Sequence, residues 1–130
     1  MREILFRGKR TDNNEWVYGS PIFQDNYVLI RFWNSEEFEY EEYLIVPESV
    51  AQYTKLTDKN GKKIFEDDIV DCWSEGVNAQ GTVQQRRDGL WIIYPAWQKH
   101  IMWGLCPDEY SNTTVEVIGN IHDNPELIKT

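Results

Sequence analysis

The chain has 130 residues, a formal net charge of −9, six Trp, seven Tyr and two Cys. That length suits one domain with a core that needs no covalent staples. The aromatic content excludes a disordered chain, and the acidity argues against a surface that coats nucleic acid with clustered Lys and Arg.

Residues 2–9 alternate, with Ile4 and Phe6 on one side and Glu3, Leu5 and Arg7 on the other, as in a strand. The turn cluster Asp12-Asn13-Asn14 and the run Glu15–Gly19 then predict a hairpin with a loop longer than two residues. After a turn at Gln24-Asp25-Asn26, Tyr27–Trp33 is rich in β-branched and aromatic residues and reads as a central strand. Beyond Asn34-Ser35, the pattern places Phe38, Tyr40, Leu44 and Val46 on an apolar side, with Glu39 and Glu41 on a wet one. Glu42 breaks that pattern, which implies a bulge or an open edge. Pro47-Glu48-Ser49 can open a single helical turn, leaving Val50 and Tyr53 facing inward.

Asn60-Gly61 predicts a two-residue hairpin turn with both residues at positive φ. It leads into Ile64-Phe65, a strand over Asp68–Trp73, a return over Thr82–Arg87 punctuated by Gly76 and Gly81, a turn at Asp88-Gly89, and a strand over Leu90–Tyr94 buried on both faces. Trp97, Ile101 and Leu105 recur at helical spacing with Met102 beside them, and Pro107 would end that short helix. Val115–Ile121 is the final strand. Asp123-Asn124-Pro125-Glu126 then supplies a cap and a helix-compatible Pro for a terminal turn carrying Leu127 and Ile128.

The sum is a mostly-β chain: an N-terminal antiparallel meander packed on a small SH3-like or partly open barrel, with one or two short helices. The whole chain reads as one domain with sub-lobes over 1–56 and 57–130.

Several ordered segments resemble the YopX family of phage and prophage proteins. They are Arg2–Lys9 with Glu15–Gly19, Gln52–Glu66 with Asp68-Ile69-Val70, Val117–Ile121, and Asn124–Leu127. Residues 74–114 show little of the likeness. Two positions depart from the family pattern, which has glycine where this chain has Lys55 and Asp67. Asp67 tolerates a left-handed backbone, whereas Lys55 implies an ordinary turn. The resemblance implies a phage or prophage origin, a cytoplasmic setting in a bacterial host and a β-rich fold with a barrel-like part. It implies no activity and no site residue.

No chemistry assembles in the residues themselves. His100, Cys106, Cys72 and His122 lack the local spacing from which zinc sites are built, so no cofactor or metal is expected and both thiols read as reduced core residues. The serines lack a nucleophile-elbow context. Glu66, Asp67 and Asp68 read as a solvated strand entrance. An enzyme would need a pocket lined by Asp67, Asp68 and His122. Asn60-Gly61-Lys62-Lys63 is no phosphate cradle. The start of the chain has no secretory apolar run, and no stretch approaches the ~18 apolar residues of a membrane span.

Protein contacts therefore lead, including contacts between copies of the chain and with an unknown phage or host protein. Arg7 and Arg10 form a basic edge and Glu39 and Glu41 an acidic one, able to meet head to tail. Trp97 and Trp103 are the aromatic candidates for exposure, while Trp33, Trp73 and Trp91 read mainly as core. Two alternatives accompany this reading. One is a nucleic-acid-associated accessory role using Arg86, Arg87 and Lys99 near Trp91 and Tyr94, or an acidic DNA mimic using Glu36 to Glu42. The other is a small hydrolase.

Overall fold

The computed structural model describes residues 5–74, 77–94, 103–105 and 107–127. The chain divides into two compact units, Met1–Tyr53 and Thr54–Thr130. It is mostly β, in antiparallel sheets, and the described helical structure is two single 3-10 turns, at Pro47–Ser49 and Pro125–Leu127.

In the first unit, β1 (Phe6–Lys9), β2 (Trp16–Phe23), β3 (Val28–Asn34) and β4 (Glu39–Ile45) form a meander. With β5 (Ala51–Thr57), which begins in this unit, the strand order is β4-β3-β2-β1-β5. The expected meander is present, and β3, read as a central strand, is paired on both sides but lies next to the edge strand β4. Val28, Ile30 and Ile45 are buried at its centre, with Phe6, Val17, Tyr43 and Val50 packed around them. Each such side chain contributes about 1.5–3 kcal/mol on burial.

Two glycines let so few strands enclose that core. A Cβ on Gly8 would lie 2.5 Å from Cγ2 of Ile45. One on Gly19 would lie 2.4 Å from the carbonyl oxygen of Arg31, so β2 can turn from pairing with β1 to pairing with β3 only if position 19 has no side chain. At one corner the end of β1 meets the end of β4: Thr11 donates its N–H to Leu44 O at 3.0 Å and Val46 donates to Lys9 O at 2.8 Å. The buried Ser49 hydroxyl joins this corner, donating to Val46 O at 2.6 Å and accepting the Lys9 N–H at 2.8 Å.

The faces of β4 are the reverse of the sequence expectation. Ile45 is 1% exposed, and it pairs with Val28, as Tyr43 pairs with Ile30, so the odd-numbered residues face the core. Tyr40, Glu42 and Leu44 face outward. Because strand side chains alternate with period two, anchoring Ile45 decides the face of every other residue. Glu42 then needs no bulge: it stands on the wet face beside Arg31.

The second unit holds β6 (Lys63–Phe65), β7 (Asp68–Ser74), β8 (Val77–Gln85), β9 (Trp91–Tyr94), β10 (Trp103–Gly104) and β11 (Glu116–Asn120). The latter half of β5 pairs with β6, and the remaining strands form a sheet of order β10-β9-β8-β7-β11. This sheet is open, so the barrel expected here does not close. Its core is Ile64, Val70, Cys72, Val83, Ile93, Leu105 and Val115. Ile92 and Ile93 are both buried, as expected for a strand covered on two faces, whereas Leu90 lies in the preceding turn and is exposed. The helix expected over Trp97–Leu105 is not formed at its C-terminal end, where Trp103-Gly104 pairs with Ile93 and Ile92 as β10. Residues 95–102 lie outside the described ones.

The hairpin at Asn60-Gly61 is present with a different turn. Gly61 has φ +81° but Asn60 does not have positive φ, and the Gly61 N–H donates to Asp58 O at 3.0 Å. The loop therefore has three residues, a type I turn closed by a left-handed glycine. The Asp88-Gly89 turn has the same form, with Gly89 at φ +92° and its N–H donating to Arg86 O at 2.9 Å. Asp67, at φ +72°, adopts the left-handed backbone that an Asp in place of the family's glycine tolerates. Lys55, at φ +71°, does so too, against expectation, and a residue with a Cβ is held there at a cost of about 1–2 kcal/mol.

Candidate interaction surface

On the outer face of β2, β3 and β4 the register stacks three rows across the strands. Ile22, Leu29 and Leu44 form an aliphatic row, Ser20, Arg31 and Glu42 a polar one, and Trp33 and Tyr40 an aromatic one. Trp33 is 50% exposed, Tyr40 58% and Leu44 48%. The side chains brace one another. The Trp33 and Tyr40 rings meet edge to face at 5.0 Å, the Arg31 guanidinium lies 4.1 Å above the Tyr40 ring, and Arg31 Nε is 3.7 Å from Glu42 Oε1. These contacts fix rotamers without covering the surface, so apolar area remains in water.

At the tip of the β3–β4 hairpin, Asn34 Oδ1 accepts the N–H groups of Glu36 and Glu37, and Phe38 closes the turn at φ +54° with 80% of its surface exposed. A bulky aromatic in the left-handed region carries a conformational cost and is an uncommon outlier. Asn14, at φ +60°, closes the β1–β2 loop in the same left-handed conformation with a residue suited to it. Backbone economy therefore does not account for Phe38.

Of the residues expected at a contact surface, Glu39 is exposed on β4. Glu41 faces inward, accepting hydrogen bonds from Asn34 Nδ2 and from the Tyr43 hydroxyl (2.8 Å). These two bonds hold its carboxyl below the usual range, and the bond to Glu41 raises the Tyr43 phenol. Arg10 lies 3.9 Å above the Tyr43 ring and pairs with Asp12 at 2.6 Å. That hydrogen bond raises the Arg10 pKa and lowers that of Asp12. Arg7 is buried, its guanidinium 4.5 Å from the Trp16 ring. The structure thus brings Arg10, Tyr43 and Glu41 together within one unit. Trp97 and the Trp103 side chain lie outside the described residues.

Sequence reasoning missed Trp33, Tyr40 and Phe38 as surface residues. A signal was present: Arg31 shares the Trp33 face and Glu42 the Tyr40 face, and two charges directly opposite each other mark that side as wet.

Elsewhere the polar clusters serve the backbone. Asp68 is buried, not solvated, and its Oδ2 accepts the Phe65 N–H at 2.8 Å. Asp67 Oδ2 lies 3.3 Å from His122 Nε2, joining the β6–β7 turn to the segment after β11. Among the described residues no three His, Cys, Asp or Glu side chains group to hold a metal. Arg86 is paired with Asp88 at 2.5 Å, which depresses the Asp88 pKa, and Trp91 packs against the second unit's core. No described helix is long and apolar enough to cross a membrane.

Fold and surface together define a small β protein with an exposed aromatic sheet face. The model of the family described as YopX protein matches residues 5–129, and the chain belongs to that family. Among solved structures, the crystal structure of protein EF1440 from Enterococcus faecalis is similar, with a TM-score of 0.51 and 20% identity over 99% of this chain and 100% of that one. At that identity the likeness shows a shared fold. No curated protein matches the chain.

Proposed function

We propose that this YopX-family protein is a non-catalytic phage or prophage accessory protein, acting in the bacterial cytoplasm through protein contacts that include self-association. The observation that carries this reading is the outer face of β2, β3 and β4 with Trp33, Tyr40 and Leu44 half in water, and Phe38 beside it in a strained conformation. Exposed aromatics rimmed by charge are the composition of interface cores. Glu42 on that face, with Glu36 and Glu37 at the adjoining hairpin tip, disfavours a nucleic-acid backbone there.

Sedimentation velocity across a wide concentration series tests the reading. The expected result is a concentration-dependent rise in mass that Trp33→Ser/Tyr40→Ser abolishes. A strict monomer at the highest concentration refutes self-association. Binding of single- or double-stranded oligonucleotides at low salt, lost in the same variant, would replace protein contact with nucleic-acid contact.

A further inference from the structure

Resting on that reading, we infer that the occupant of this face is a second copy of the chain, docked sheet to sheet about a two-fold axis that runs parallel to the strands between β3 and β4. Charge complementarity selects this arrangement. The polar row carries one cation and one anion directly opposite each other, Arg31 and Glu42, each side chain 45% exposed. In a face-to-face dimer the axis lies in the plane of contact. An axis perpendicular to the strands sets Arg31 on Arg31 and Glu42 on Glu42, two like-charge contacts.

An axis parallel to the strands sets each residue on the copy of its cross-strand neighbour. Arg31 then meets Glu42 of the second copy twice over, Trp33 meets Tyr40, and Leu29 meets Leu44. The aliphatic and aromatic rows flank these charge pairs and exclude water from them, which strengthens both. The alternative of adding strands edge to edge at β4 is hindered by Glu39, Glu41 and Glu42 along that strand.

The test is complementation between two charge variants. Arg31→Glu gives a face with two anions and Glu42→Arg one with two cations. Each alone is expected to sediment as a monomer where the wild type is a dimer, with affinity reduced at least ~10-fold by like-charge contacts. Mixed in equal amounts, the two variants are expected to form a heterodimer. The double variant Arg31→Glu/Glu42→Arg, which retains the pair within each chain, is expected to dimerise as the wild type does and serves as the folding control. Single variants that remain dimers, or a mixture that stays monomeric while the double variant dimerises, would overturn the inference and leave self-association elsewhere standing. A monomeric wild type would remove both this inference and the self-association it rests on.

Discussion

Asp58 joins two of the segments that carry the family likeness, and its replacement gives the sharpest test of how the second unit is held. The residue is 2% exposed. Its Oδ1 accepts the N–H groups of Asn60 and Lys62, each at 2.9 Å, and its Oδ2 accepts that of Val117 on β11 at 3.0 Å. Hydrogen bonds to a charged acceptor contribute about 1.5–3 kcal/mol each, and they are not fully additive. Asp58→Ala strands three amides, so a loss of about 3–5 kcal/mol is expected, a large part of the ~5–15 kcal/mol by which domains are stable. Asp58→Asn keeps one oxygen for the turn but presents an amide N–H₂ to Val117, and about 1–3 kcal/mol is the expected loss. Equilibrium urea unfolding followed by tryptophan fluorescence and circular dichroism measures both. A loss below about 1 kcal/mol for Asp58→Ala, at unchanged denaturant slope, would refute the bridging role.

Gly19→Ala sets a Cβ 2.4 Å from a backbone carbonyl, which cannot swing aside as a side chain can. A loss of about 2 kcal/mol or more in urea unfolding is expected, and a stability equal to wild type would contradict the close approach of β2 and β3. Cys72 is buried, and burial, with Asp71 as a lesser cause, raises its thiol pKa from 9.0 to about 11. The native state therefore keeps the proton that the unfolded chain loses near pH 9. The contribution is full below pH 9 and lost as pH rises towards 11. In a Cys106→Ser background, a thiol reagent at pH 8 should react only as fast as the protein unfolds. Rapid labelling of the native protein would show the site to be open.

The local grammar was readable from residues alone. Turn residues at Asp12–Asn14, Asn60-Gly61 and Asp88-Gly89, and β-branched runs at Val28–Trp33 and Glu116–Ile121, identify most strands, because turn geometry and side-chain alternation are local constraints. At Asp67 only tolerance of a left-handed backbone was legible, from the family's glycine at that position, and the backbone there is left-handed. At Lys55 the local rule misled: a lysine gives no sign that β5 holds it at positive φ.

What lay beyond reach depends on partners distant in the chain. The face of β4 turns on Ile45 sharing a core with Val28 and Ile30, and a strand with apolar residues on both sides can be anchored either way until those neighbours are known. The outward turn of Trp33 and Tyr40 follows from that anchoring. Asp68 was misjudged likewise. Asp68 looks solvated in isolation, and it is buried because it meets the Phe65 N–H, as Asp58 is buried where it meets that of Val117, contacts that only the assembled chain supplies. Propensity acts between neighbours in sequence, whereas burial is a property of the assembled sheets, and the candidate contact face is a matter of burial.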